Sequence, residues 1–599
     1  MKHNVYSSQL SSTHAIYNGK YSTMKRKLKV AFINPPHADW SLANNMTYLM
    51  MQSHYHHYGK HPDQVEWLPA PYKFNEYQTV EEIYNEIPDA DIYLFSSYAW
   101  NYDICDDLAT YIKEVQPTAH RIVGGPHIGT HDKSFLDTRT MYDFICQPTK
   151  PGEVFMEDFI NCYIDNDGTV EPADVSWELR SLIQRRCEMP DYSIYEEHFD
   201  YIKETCDHAY QNKLEPFIVI ETTRGCPYKC VYCEWGGGID TKILKKDLDI
   251  VKRDILSIKN AGFRDAYLTD ANFGAFEKRD LEIFAFAWQN NFNLTDISTM
   301  KSKDLNRRKR LIDKWFEIVG SGFETHSPEY SPSEGGTDMW RETKHVSIVP
   351  TVSIQSISDE AMAVSKRVDL DTEDKLELTR HIEKRCREEG FPVPALELIL
   401  AMPGSTLEDF YRELDIIWSF KAWGSFRHDY MFLPDSTLSD PEYKDQYDIK
   451  TVDVYSDLAD EAGIDNWGSL YKAKKNEFKT IASCYSFTRE DMIEMWIMNH
   501  AGNKLLQDIY PKFEGQISPA NFGKQCYKTF KQLPGFDEIY NYVDDLYNPN
   551  TPMKSIKRIN DHQRTDVINT FIDNAAPAIY NELFIHTESE PKRNVEWQL

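Results

Sequence analysis

The sequence predicts an α/β protein in three parts. A doubly wound parallel sheet comes first, then a partial (β/α)6 barrel, then a mostly helical carboxyl-terminal region. Three observations carry this. Short apolar runs bounded by Pro, Gly and Asn alternate with amphipathic stretches over 28–165, the rhythm of strands joined by crossover helices. The alternation returns at 217 and supplies six strand–helix units by about 440. Beyond 445 the apolar spacing is helical and no strand rhythm is evident.

Residues 1–27, rich in Ser, Tyr and Asn without periodicity, are expected as a flexible extension. The first strand is Leu28-Lys29-Val30-Ala31-Phe32-Ile33, which must stop at Asn34-Pro35-Pro36 because proline cannot donate to a sheet ladder. Residues 91–97 read as the second, and Ile104, Leu108, Ile112 and Val115 then recur at helical spacing. Arg121-Ile122-Val123 runs into Gly124-Gly125-Pro126-His127. Residues 143–146 precede Gly152-Glu153, which opens a helix through Phe155 and Phe159. A sheet wound this way presents its functional loops at the carboxyl ends of its strands, so 28–165 forms one domain with that edge in use. Residues 166–214 lose the rhythm and carry several tyrosines, which points to a connector that wraps against the protein.

Within 215–444, strands are expected over 217–222, 266–269, 296–299, 349–354, 395–400 and 430–433, with helices between them, as at 244–260 ahead of Gly262. The stretch 327–336, with two prolines and two glycines, reads as a surface insertion. Residues 445–599 are expected as a helical domain, as at 491–509 and 537–547.

Composition narrows the function. Hydrophobic residues make up 41% and aromatics 13%, enough for real cores. The 66 Lys and Arg against 95 Asp and Glu leave a net charge of −29, which repels phosphate backbones and argues against nucleic acid. The run 393–402 is interrupted by Pro394 and Glu397, and no stretch nears the roughly 20 apolar residues of a membrane span. The polar start lacks the apolar segment of a secretory signal. Eleven cysteines with one tight cluster suggest a reducing, cytoplasmic compartment and a metal site.

That cluster is the most informative segment: Arg224-Gly225-Cys226-Pro227-Tyr228-Lys229-Cys230-Val231-Tyr232-Cys233-Glu234-Trp235-Gly236-Gly237-Gly238. Cys226, Cys230 and Cys233 are separated by three and then two residues. Three thiolates from one loop suit an iron–sulfur cluster or zinc, and three ligands leave a metal position open for chemistry on a bound molecule. A zinc knuckle with its fourth ligand elsewhere is the alternative, although no second Cys or His pair is evident.

The segment resembles the radical SAM superfamily, whose motif is Cys-x3-Cys-x2-Cys after the first barrel strand, with an aromatic such as Tyr232 before the last cysteine. The resemblance implies a [4Fe–4S] cluster on Cys226, Cys230 and Cys233 whose open iron chelates S-adenosylmethionine (SAM). Reductive cleavage would then give a 5′-deoxyadenosyl radical or, in some relatives, methyl transfer. Later segments fit in order. Asp270-Ala271-Asn272-Phe273 looks like the second-strand pattern of relatives with a cobalamin domain, with Asp270 and Asn272 as acceptors for the SAM ammonium. Ser353-Ile354-Gln355-Ser356, followed by Arg367, resembles the fourth-strand segment facing the ribose and carboxylate. Ala401-Met402-Pro403-Gly404 resembles the fifth-strand turn, where Gly404 lets the backbone approach the adenine and Thr406 with Asp409 caps the next helix. Ala401 stands where the family more usually has Gly, and Asp435-Ser436 replaces the Gly of a sixth-strand Pro-Gly-Thr.

Asn34-Pro35-Pro36, Ser96-Ser97-Tyr98, Gly124-Gly125-Pro126-His127 and Gly152-Glu153 resemble the cobalamin-binding domain that precedes many radical SAM barrels. The resemblance places the corrin against loops at Pro35, Ser97, Gly124 and Gly125. The Asp-x-His-x-x-Gly string of domains that ligate cobalt through histidine is missing, and His37 and His127 are the histidines near the expected ring. The leading expectation is a cobalamin-dependent enzyme methylating an unactivated carbon of an unknown substrate, fed by an electron donor such as a flavodoxin or ferredoxin. A cobalamin-independent rearrangement or cyclisation enzyme and a non-catalytic cluster and SAM sensor remain open. Methylthiolation is disfavoured, because Cys105, Cys146 and Cys162 are too scattered for a second cluster.

Overall fold

The computed structural model describes residues 26–35, 41–71, 79–98, 101–125, 127–128, 135–146, 152–170, 189–211, 218–233, 243–263, 265–295, 302–320, 353–391, 396–420, 425–429, 436–453, 479–551 and 561–587. The expected insertion at 327–336, the extension through residue 25, Pro36, His37, Trp235 and the glycines 236–238 lie outside these residues.

The amino-terminal sheet has five parallel strands: β1 (Leu28–Ile33), β2 (Val65–Leu68), β3 (Ile92–Ser96), β4 (His120–Gly124) and β5 (Phe144–Ile145), in the order β2-β1-β3-β4-β5. It is doubly wound, because its alternate residues feed two cores. Val30 and Phe32 pack with Tyr55 and Phe159 on one side, while Ala31 and Ile33 pack with Leu108 and Ile112 on the other. The chain leaves β1 toward one edge and then crosses to β3, so the topological switch point lies between β1 and β3. The sequence reading did not anticipate β2 or the crossover helix Ser41–Tyr58. The helix is crowded with Asn, Ser and His, which blurs its apolar spacing.

Two further parallel sheets follow. One joins β6 (Val219–Ile220), β9 (Asp265–Leu268) and β10 (Asn293–Thr295), and between them Thr223–Arg224 (β7) pairs antiparallel with Leu244–Lys245 (β8). The other joins β11 (Ser353–Gln355), β12 (Leu396–Leu400) and β13 (Ser425–Asp429). Strand β10 lies just ahead of the expected 296–299, and β13 just ahead of the expected 430–433; both expected stretches are outside the described residues. Within the connector, Tyr192 and Tyr195 are fully buried.

The carboxyl-terminal region is mostly helical, with helices Arg489–Lys504, Pro519–Phe530, Phe536–Leu546 and Asp561–Thr587. It also holds an antiparallel pair, β14 (Lys450–Asp453) with β15 (Lys479–Ser483), which corrects the expectation that strands are absent there. Each is short and its partner lies far along the chain, so no repeated rhythm marks it. Among the described residues no helix is long and apolar enough to cross a membrane.

Candidate functional site

The three cysteines sit on the loop that follows β7. Cys226 and Cys230 are buried, Cys233 is half-buried, and none of the three is in a disulfide. The chain enters through Gly225, whose φ of +95° disfavours any residue with a Cβ. The Cys233 amide closes a turn onto the Cys230 carbonyl (3.1 Å). Val231 then ties the loop to segments that follow β11 and β13. Its amide donates to the Ser365 carbonyl (3.0 Å), and its carbonyl accepts from the Leu438 amide (2.9 Å). Among the described residues no three His, Cys, Asp or Glu side chains are grouped to hold a single metal ion.

Asp270 and Asn272, from the turn after β9, reach this loop by different routes. The Asp270 carboxylate accepts from the Thr222 amide (2.7 Å), the Thr223 amide (2.9 Å) and the Thr222 hydroxyl (2.5 Å). It thereby clamps the chain just before the cysteines. Burial raises its pKa to about 6 against the pull of those donors. Asn272 Nδ2 donates to Cys226 Sγ at 3.1 Å, while its Oδ1 is buried with no hydrogen-bond partner. Of the two expected acceptors, then, Asp270 is fully engaged by the protein and Asn272 has an open carbonyl.

A buried charge network borders the loop. Arg367 donates from Nη1 to the Tyr232 hydroxyl (2.8 Å) and from Nη2 to the Ser353 carbonyl (2.9 Å) and Asp369 (2.9 Å). Asp369 also accepts from Arg308 (2.6 Å). Burial drives the Tyr232 phenol pKa well up. Lys375, also buried, donates to the Ile354 carbonyl (3.2 Å), and burial lowers its pKa to about 8. Sequence reasoning missed Arg308, Asp369 and Lys375. The pair Arg367-Val368-Asp369 was the local signal available, whereas Arg308 is some sixty residues away in the chain.

The remaining predicted residues lie along β11 and just beyond it, and at the carboxyl end of β12. Ser353 donates to Glu397, Ser356 accepts from the Ser358 amide (3.1 Å), and buried Gln355 takes a left-handed φ of +68°. Ala401 is also left-handed, at φ +58°, which gives a physical reason for Gly to be preferred there. Gly404 has φ +92°, and a Cβ would fall 2.7 Å from the Ala361 nitrogen. Its missing side chain is thus required by the close approach of the helix Asp359–Val364, which follows β11. Its amide donates to the Ser486 hydroxyl (2.9 Å), so the carboxyl-terminal region helps to set this turn. Thr406 and Asp409 form the expected reciprocal cap.

At the switch point, Asn101 Nδ2 donates to the Pro35 carbonyl (3.0 Å), Asn34 Oδ1 (3.2 Å) and the Ser96 carbonyl (3.1 Å), holding the ends of β1 and β3 together. Gly125 has φ +102° and no room for a Cβ, which would lie 2.4 Å from the Ser97 carbonyl oxygen; Gly124 packs on Cys146. The buried His127 ring stacks on Tyr102 at 4.3 Å. Glu153, at the start of the last helix of this sheet, pairs with Arg224 beside the cysteines (3.1 Å). A cavity of about 290 Å³ lies by Lys27, Val65 and Glu197, at the amino ends of the strands and so away from the edge that binds ligands in such sheets.

Sheet and loop together are similar to one class of protein, the cobalamin-dependent radical SAM enzymes. No family model matches the chain. It is 24% identical over 407 residues to the cobalamin-dependent radical SAM methyltransferase TokK of Streptomyces tokunonensis. It is 26% identical over 412 residues to the 2-(S-pantetheinyl)-carbapenam-3-carboxylate methyltransferase of Streptantibioticus cattleyicolor. Each match covers 65% of this chain but only 54% of the relative, so the chain spans about half the length of the curated relatives it matches. The fold is shared with the solved structure of the radical S-adenosylmethionine methyltransferase TsrM from Kitasatospora setae, with cobalamin and a [4Fe-4S] cluster bound. That match has a TM-score of 0.51 at 14% identity and covers 86% of this chain and 99% of that one.

Proposed function

We propose that the chain is a cobalamin-dependent radical SAM enzyme that methylates an unactivated carbon. The carrying observation is the site at Cys226: a three-cysteine loop with Cys226 and Cys230 buried, a side-chain amide donating to one sulfur, and that amide's oxygen left without a partner. The donor set fits a [4Fe–4S] cluster on Cys226, Cys230 and Cys233, since soft thiolates are its usual ligands. A cluster offers each thiolate a separate iron, and so asks for wider spacing than a single ion would. In this reading the cluster, SAM and cobalamin together supply reductive cleavage and methyl relay.

The protein's own residues orient and enclose. Asn272 Oδ1 accepts the SAM ammonium, the sole open acceptor among those it was expected to meet at this turn. Asp270 fixes the entry to the cysteine loop. Arg367 holds Tyr232 and the end of β11, where Ser353, Gln355 and Ser356 face the cosubstrate. The Gly404 turn, braced on Ala361 and Ser486, closes the adenine side. The two three-stranded sheets are read as halves of one six-stranded barrel over 215–444, because Val231 ties the loop after β7 to segments that follow β11 and β13. Residues 28–165 form the cobalamin domain, with the corrin over Pro35, Ser97, Gly124 and Gly125 at the switch point. An acidic one-electron carrier of the flavodoxin or ferredoxin kind reduces the cluster, and exposed Lys229 lies within the cysteine loop to meet it.

The test is anaerobic reconstitution followed by product analysis with SAM labelled in its methyl group. Label in the product, with iron and cobalamin bound, supports the reading. Zinc in place of iron overturns it. 5′-Deoxyadenosine without methyl transfer would favour a rearrangement or cyclisation, and no SAM cleavage under strong reductant would favour a sensor.

A further inference from the structure

We infer that Asn272 tunes the reduction potential of the cluster and couples that potential to SAM binding through one side-chain amide. The inference rests on the cluster reading above. Asn272 Nδ2 lies 3.1 Å from Cys226 Sγ, and both residues are nearly excluded from water at 4% and 3% exposure. A hydrogen bond to a cluster thiolate withdraws electron density from sulfur. It therefore favours the more negative, reduced cluster and raises the midpoint potential. In so dry a position the effect is not screened.

The amide is held from both sides. Before it, Asp270 is locked by its three bonds to Thr222 and Thr223. After it, the Ala275 amide donates back to the Asn272 carbonyl (3.1 Å). Asp280 accepts from the amides of Gly274 (2.8 Å) and Phe276 (3.0 Å), and Arg307 donates to the Ala275 carbonyl (3.2 Å). Such a turn holds Nδ2 on the sulfur and leaves Oδ1 buried without a hydrogen-bond partner. A cationic ammonium donating to Oδ1 polarises the amide and makes its N–H a stronger donor to sulfur, because hydrogen bonds in series reinforce one another. SAM binding and cluster reducibility then share a side chain. Asn272 is a positioning residue for the cluster as well as a contact for the cosubstrate.

Asn272→Leu keeps the volume and removes both polar ends. The test is an anaerobic redox titration of the cluster followed by electron paramagnetic resonance, with and without SAM, beside iron analysis. The inference expects full iron loading, a midpoint more negative than wild type without SAM, and a smaller shift when SAM is added. An iron-loaded variant with a wild-type midpoint overturns it and leaves the cluster reading intact, whereas absence of iron from the wild type would fail that reading. Should the variant lose its cluster, wild-type protein selectively labelled with 15N-asparagine decides the matter. Pulsed resonance of the reduced cluster must show coupling to a labelled side-chain nitrogen, and its absence sinks the inference.

Discussion

Replacing Asp369 with Leu should loosen the cysteine loop from a distance. The carboxylate is 2% exposed and lies between two guanidinium groups, Arg308 at 4% and Arg367 at 5%. It accepts from Arg308 (2.6 Å), from Arg367 Nε (3.2 Å) and Nη2 (2.9 Å), and from the Leu370 amide (2.8 Å). Burial alone would raise its pKa, yet the two arginines hold it below the usual carboxylate range. Removing one member of a buried ionic group leaves charge uncompensated at a cost of about 3–5 kcal/mol. Here two cations are stranded, so a value of about 4 kcal/mol is expected, or roughly a thousandfold in the local opening equilibrium. The cost falls where the network meets the loop, because Arg367 orients Tyr232 and the end of β11. Hydrogen exchange of wild-type and D369L protein should therefore show much faster exchange at Val231 and Leu438, whose amides bridge the loop to its neighbours. Pairing D369L with Arg308→Met removes one stranded charge and should restore part of the protection. A change below about tenfold in those peptides would refute the reasoning, since the arginines would then find other partners or water.

Three other outcomes are expected. Asp270 has its pKa raised to about 6 from an ordinary 3.8, so the folded state holds its proton where the unfolded state has lost it. Its contribution to stability therefore declines as pH rises from about 4 to 6. Asp270→Asn removes that dependence while retaining an acceptor for the Thr222 and Thr223 amides, so the wild-type-minus-variant difference in melting point should fall over this range. Gly404→Ala meets both a φ of +92° and a contact of 2.7 Å with the Ala361 nitrogen, and should cost at least about 2 kcal/mol, read as a melting point lower by about 5 °C. Cys230→Ala should remove the cluster's visible absorbance and all SAM cleavage while the far-ultraviolet circular dichroism stays native; an active, coloured variant would refute the ligand assignment.

Several strands were legible as short, mostly apolar runs: β1, β3, β4 and β12 fall where Leu28–Ile33, 91–97, 121–123 and 395–400 place them. Strand β2 and the pair β14–β15 were not, because Val65–Leu68 is a short edge and Lys450–Asp453 depends on a partner far along the chain. The cap at Thr406 and Asp409 was readable for the opposite reason, since all its contacts are local. The cysteine spacing was likewise a local fact, and three thiolates on one loop already called for a soft metal centre.

What the linear chain determined by itself is the order of the elements, the spacing of the three cysteines and the class of protein it resembles, all of which arise within a few residues of one another. Tertiary structure decided how the polar groups are shared out. It gave Asp270 to the Thr222–Thr223 backbone, Arg367 to Tyr232, Asp369 to Arg308, the space beside Gly404 and Gly125 to neighbouring backbone, and to Asn272 a sulfur at one end with an open carbonyl at the other. Hydrogen bonds and charge pairs in a dry interior depend on distances of a few ångströms between segments tens of residues apart, and no local pattern encodes which partner each group will meet.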